Sequence, residues 1–183
     1  MDTASGVLRE EHQRILAVVQ VLETTLDRAV WSGPPDFDRL DDCITFFRLF
    51  ADACHHGKEE DLLFPELERS GLSRDSGPIA VMLEEHRLGR ALVRAMADAL
   101  PDARAGEIHA RDALERSARD YIALIRAHIG KEDHVLFLMA DGLVAGGACR
   151  QLCSAYEQAD RCRFEQRTKQ QLEALAERLT GRD

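Results

Sequence analysis

The sequence predicts an all-α protein, an up-and-down antiparallel four-helix bundle with a helical extension at its C-terminal end. Three observations lead there. Only 5% of the 183 residues are aromatic while 31% are charged, and Ala, Leu, Arg and Glu dominate, a helix-forming mixture. Apolar residues recur at helical spacing along nearly the whole chain. The breaks between periodic segments are short, which favours antiparallel neighbours.

The first helix is predicted over about residues 5–31, with Leu8, Ile15, Val19, Leu22 and Leu26 as its apolar stripe. "SGPPD" ends it, and Asp36 is placed to cap a second helix over about 37–69. Pro65 is expected to kink that helix or end its regular part. "SGLSRDSGP" is turn-rich, and Ser76 is a candidate cap for a third helix over about 78–100, closed by "PDARAG". A fourth helix follows over about 107–141. "GLVAGGA" then loosens the chain, and about 148–179 reads as one further, mostly polar helix. The expected division is a bundle over 1–145 and an extension over 146–183, the latter a candidate dimer contact.

A formal charge of −9 argues against nucleic acid or an anionic membrane as partner. No apolar run has the length of a membrane span. The stretch "MDTASGVLREEH" is acidic where a signal peptide would be basic, so a cytoplasmic location is expected. Cys43, Cys54, Cys149, Cys153 and Cys162 are then read as reduced thiols.

The informative feature is a repeat. "HHGKEEDLLF" at 55–64 returns as "HIGKEDHVLF" at 128–137, with six of ten positions identical. "VLREEH" at 7–12 is likewise echoed by "VMLEEH" at 81–86. His12 precedes His55 by 43 residues, and His86 precedes His128 by 42. The first two helices thus read as a copy of the next two, able to meet about a pseudo-twofold axis. Residues four apart share a helix face, so His55 with Glu59, and His128 with Glu132, each point one way. Leu8, Leu16, Met82, Leu63 and Leu136 flank these groups, so that way is the core.

Buried imidazoles and carboxylates without partners would cost several kcal/mol, roughly. A His–Glu hydrogen-bond network would satisfy one such pair, but it does not call for the same His-x-x-x-Glu twice. A metal does. Two imidazoles and one carboxylate per half suit a non-haem iron with open positions, or a zinc with one water site. Two halves in one bundle give two adjacent ions.

His12, "HHGKE", His86 and "HIGKE" resemble the hemerythrin-like (HHE cation-binding) family over roughly residues 5–141. The resemblance implies a four-helix bundle with two iron ions, a di-iron centre bridged by carboxylates and by an oxo or hydroxo oxygen. His12, His55, Glu59, His86, His128 and Glu132 match the family's ligand positions. Oxygen-carrying members have five histidine ligands, two of them four apart on the third helix, and here Arg90 stands four after His86. Four histidines imply exchangeable positions on both irons and lean toward reaction with peroxide, oxygen or nitric oxide rather than reversible carriage. His56, about 100° round the helix from His55, is a candidate further ligand because some relatives carry a metal-binding residue there.

The expected function is therefore a non-haem di-iron protein that binds or reacts with a small oxygen species (peroxide, O2 or NO). The alternative is an iron-sensing or iron-buffering module without catalysis. A zinc hydrolase is disfavoured, since no HExxH motif or general base stands beside the ligands. Lys58 and Lys131 are expected in solvent, Glu60 and Asp133 on the outer edge, and His109 and His134 on the surface. Tyr121, two turns before His128, is read as a core residue or as a hydrogen-bonding partner of a ligand at the centre.

Overall fold

The computed structural model describes residues 3–32 and 35–181, with the side chains of 29–32 outside the description. Gly33 and Pro34 of the "SGPPD" break lie outside the described residues. Helix α1 spans Gly6–Ser32. Helix α2 is a continuous rod over 37–69, α-helical at Phe37–Phe46, π-helical at Phe47–His56 and Glu59–Leu63, and α-helical again at Phe64–Arg69. Helix α3 spans Gly77–Ala105. Helix α4 covers 108–143, with a π turn at Glu132–Leu136 between Ile108–Lys131 and Phe137–Leu143. Helices α5 (Gly146–Asp160) and α6 (Lys169–Thr180) follow, joined by a hairpin of β1 (Arg163–Phe164) and β2 (Arg167–Thr168). The architecture is the expected all-α bundle.

Asp36 caps α2 as its sequence position suggests, its carboxylate accepting the Arg39 N–H at 3.0 Å. Ser76 occupies the cap position of α3, but its side chain makes no cap bond. Three boundaries differ from expectation. Helix α3 does not stop at "PDARAG": Pro101 lies on an exposed face, and the helix ends at left-handed Gly106 (φ 103°), whose N–H reaches Ala103 O. Pro65 does not end α2, because it falls directly after a π turn in which Phe64 N–H bonds Glu59 O, five residues back. The C-terminal segment is two helices rather than one. Glu165 turns the chain at positive φ (57°), and the reciprocal Thr168–Gln171 capping box starts α6 afresh.

The predicted stripe of α1 is fully inside: Leu8, Ile15, Val19, Leu22 and Leu26 are all buried. The core forms two apolar clusters. One joins Ile15, Phe50, Val93 and Ile125 with Leu172 and Leu175 of α6. The other joins Leu8, Leu63, Met82 and Leu136 with Leu152 and Tyr156 of α5. On every bundle helix the repeated polar residues lie between a member of one cluster and a member of the other, so a polar layer crosses the bundle between two dry cores. No helix among the described residues is long and apolar enough to cross a membrane.

Candidate metal centre

Each bundle helix brings its polar residues to one layer through local geometry. On α1 and α3 a single histidine faces inward, His12 and His86, both fully buried. On α2 and α4 the carboxylates open the π turns Glu59–Leu63 and Glu132–Leu136, where Phe64 N–H and Phe137 N–H bond five residues back to Glu59 O and Glu132 O. The same irregularity recurs after 73 residues, so it belongs to the repeated unit. π turns commonly mark functional sites in helices.

The six predicted residues converge. His55 Nε2 lies 3.5 Å from Glu59 Oε1, and His86 Nε2 lies 3.3 Å from Glu59 Oε2. Glu132 Oε2 lies 3.1 Å from His12 Nε2 and 3.3 Å from His128 Nε2. Each carboxylate therefore spans the two halves instead of serving its own. Two overlapping donor sets result: His12, His55, Glu59 and Glu132 in one, and His56, Glu59, His86 and His128 in the other, each with its donor atoms within 4.8 Å of one another.

His56 corrects the sequence reading. It is buried in the second set, stacked on His86 with ring centroids 3.8 Å apart. The π-helical stretch Phe47–His56 has wider turns than an α-helix, so two successive histidines can face one layer. The centre thus has five imidazoles, not four, divided three and two. His56, the candidate further ligand, stands in the layer, on α2 and not at the α3 position that Arg90 occupies.

The imidazoles are held from behind. His12 Nδ1–H donates to Asp133 (2.9 Å), His55 to Glu11 (2.9 Å), His86 to Glu60 (2.7 Å) and His128 to Glu85 (3.0 Å). Each bond fixes a ring and leaves Nε2 facing the centre, the usual way that a carboxylate prepares a ligating histidine. Glu60 and Asp133 were expected to be idle at the edge; they hold the histidines of the opposite half. Lys58 was expected in solvent, but it is 2% exposed and paired with Glu11 and, at 2.7 Å, with Asp160. Glu11 and Glu85 had no role in the sequence reading. Their signal was present, an acid directly before each first-helix histidine in both copies of the motif.

Every buried side-chain polar atom without a hydrogen-bond partner among the described residues belongs to this layer: Nε2 of His12, His55, His86 and His128, both ring nitrogens of His56, and all four oxygens of Glu59 and Glu132. The Nε2–carboxylate approaches are close enough for attraction but out of line for hydrogen bonds. Glu59 and Glu132 meet no Lys or Arg; the cations pair with the outer carboxylates instead. Orphaned donors and acceptors in a dry layer cost free energy unless something fills the gap. A pair of cations fits: the donor set is imidazole nitrogen and carboxylate oxygen, and no Lys or Arg among the described residues pairs with Glu59 or Glu132.

The charges agree. Burial opposes ionisation of Glu59, but the His55, His86 and His12 imidazoles outweigh it and hold the carboxyl down at about 2. For His12, burial lowers the value, yet Asp133, Glu132 and Glu59 raise it to about 9. His86 goes the same way through Glu59 and Glu60. His56 is driven well below its ordinary value by burial and by neighbouring imidazoles, which keeps it a neutral donor.

A third group, Glu11, Cys54 and Asp160, is already occupied by the ammonium groups of Lys58 and Lys169. Burial pushes the Cys54 thiol up to about 12, so it remains protonated beside them. His134 is exposed and bonds Gly130 O, and His109 is exposed.

Residues 3–140 match the Hemerythrin HHE cation binding domain. The chain belongs to that family. The domain is a metal-binding one, and the His and Glu groups above are of the kind that can hold a metal. Uncharacterized proteins of Mycobacterium tuberculosis and Mycobacterium bovis are 25% identical to the chain over 162 residues, 88% of its length. The chain spans 63% of the length of these relatives. No solved structure matches it.

Proposed function

We propose that the polar layer holds two iron ions and that the protein binds or reacts with a small oxygen species, namely peroxide, O2 or NO. The observation that supports it best is the set of orphaned Nε2 and carboxylate atoms confined to two overlapping donor sets. In this reading His56, His86, His128 and Glu59 would hold one ion, and His12, His55, Glu59 and Glu132 the other. Such a pair of redox metals supplies one- or two-electron exchange with a small oxidant.

The chain's own residues set the terms of that chemistry. The Nδ1–H bonds to Asp133, Glu11, Glu60 and Glu85 keep each Nε2 bare and aimed inward. Phe137, stacked 5.2 Å from His12, and Phe64, 6.0 Å from His86, close one side of the layer with apolar surface and exclude water there. The set with His12 and His55 offers two imidazoles against three in the other, so the two positions would differ in their nitrogen donors. Metal analysis and an optical spectrum of protein purified from iron-fed cells test the reading, followed by peroxide consumption against chelated protein and free iron. About two irons per chain and peroxide loss above both controls are expected. Zinc alone, with no peroxide loss after iron loading, overturns it.

Iron sensing is a second reading with an observation of its own. Glu11, which holds His55, is also bound by Lys169 of α6 at 2.6 Å, so a change at the centre reaches the C-terminal helices directly. Loss of α6 protection in hydrogen exchange on chelation, without peroxide turnover, would favour it.

A further inference from the structure

A cavity of about 390 Å³ runs from the surface between α2 and α3 and ends on His56. Its volume is that of a small-molecule site. A hollow of similar size between α1 and α6 has no residue of the metal layer in its wall. The cavity beside His56 differs in three respects.

Two nearly fully buried side chains, His56 and Tyr121, stand in its wall. Both His56 ring nitrogens lack a hydrogen-bond partner. Tyr121, 2% exposed and tilted against Phe47 at 4.8 Å between ring centroids, lines the same space. Burial, with Asp52 nearby, keeps that phenol protonated and able to donate.

Gly89 forms part of the wall from the middle of α3, where glycine is the residue a helix tolerates least after proline. Close packing does not require it. A Cβ there would meet Leu124 and Tyr121 only at 3.8 Å, an ordinary contact. What the missing side chain leaves is room inside the cavity.

The third respect is charge. In a chain of net charge −9, Arg48, Arg90 and Arg94 outnumber Asp41 and Asp52 in the wall of this cavity. Arg90 is held by Asp52 and Glu60, both at 2.7 Å, and Arg48 by Glu165. Arg94 is exposed and has no anionic partner among the described residues. An apolar interior with an unspent guanidinium at its mouth suits a carboxylate that has an apolar body.

We propose that this cavity binds a small amphipathic carboxylate of the arylalkanoate class. The ring sits against Phe47 and Tyr121 and the carboxylate lies on Arg94, so that occupancy is felt at the metal layer through His56. The binding itself does not need a metal; only its effect on the centre rests on the two-iron reading.

Calorimetry with 4-phenylbutyrate and its neutral analogue 4-phenylbutanol, on iron-loaded and on metal-free protein, tests this. The carboxylate is expected to bind about tenfold more tightly, the usual worth of a charge-assisted contact. Arg94→Gln, at an exposed position that leaves the fold intact, should erase that preference without weakening the alcohol. Gly89→Leu should fill the cavity and abolish both. With iron bound, 4-phenylbutyrate should also shift the optical spectrum, and Gly89→Leu should not respond. Equal binding of the two compounds, or no binding to protein that melts normally and holds iron, overturns the proposal. Selective binding to a protein that holds no iron would uphold the cavity and defeat the two-iron reading instead.

Discussion

Glu11 and Glu85 occupy matching places in the two halves of the centre, each bonded to an imidazole and to a lysine. Their surroundings differ. The Glu11 side chain is 1% exposed and its Lys58 partner 1%, against 14% for Glu85 and 43% for Lys131. The difference comes from outside the repeat, since Asp160 of α5 and Lys169 of α6 close over the first half and no equivalent pair among the described residues covers the second. The duplicated motif sets the inner geometry. The unrepeated C-terminal helices decide how dry each half is.

Metal removal should have the largest effect, because it strips the counter-charge from Glu59 and Glu132 in both halves. Ions that bind only the folded chain stabilise it by mass action, and their loss should lower the melting temperature by on the order of 10 °C. An unchanged melting curve after verified removal would break the account of both halves together.

Glu11→Gln against Glu85→Gln sharpens the comparison next. Removing one partner of a buried ion pair costs about 3 kcal/mol, while a partly exposed pair is worth about 1 kcal/mol or less. Denaturant unfolding should therefore show Glu11→Gln as clearly the more damaging. Equal losses would mean that the C-terminal cover has no energetic weight.

A smaller effect follows from pH in metal-free protein. His12 and His86 have folded values raised to about 9 from an ordinary 6.5, so their contribution is complete below 6.5 and disappears as pH rises through 9. Glu59 and Glu85 are lowered to about 2, so theirs is present above the ordinary 4.5 and lost as pH falls through 2. His56, held neutral in the fold, costs stability below its ordinary 6.5, so chelated protein should be most stable near pH 6.5 and weaken on the alkaline side. Metal-loaded protein should instead lose its metal on the acid side, where protons compete for the imidazoles. Thermal melts from pH 5 to 9 with and without metal measure this, and parallel curves would contradict it.

The smallest effect belongs to the outer arginines. Arg9 reaches Asp133 from α1, and Arg90 reaches Glu60 from α3, from positions that do not match in the two copies. Arg9→Gln and Arg90→Gln should each cost less than about 1 kcal/mol and leave metal content unchanged.

The four bundle helices and the burial of the six inner residues were legible because each rests on periodicity or repetition. His55 and Glu59 share a face at any ordinary helical spacing. His56 could be offered only as a candidate because an α-helix would turn it about 100° away from His55, and nothing in single-residue propensity announces a π stretch. The burial of Lys58 was hidden for another reason: its cover comes from Asp160, 102 residues away, in a segment with no counterpart in the repeat. The carboxylates crossing between halves were equally out of reach, since spacing within a helix says nothing about which neighbour a side chain meets.

The central claim is two unequal metal positions, with three imidazoles at one and two at the other. Iron content of protein loaded with iron and then desalted tests it most directly, comparing wild type, His56→Ala and His109→Ala. About two irons per chain are expected in wild type and in His109→Ala, falling toward one in His56→Ala as the three-imidazole position weakens. Two irons retained in His56→Ala, or equal content in all three at any level, would contradict it.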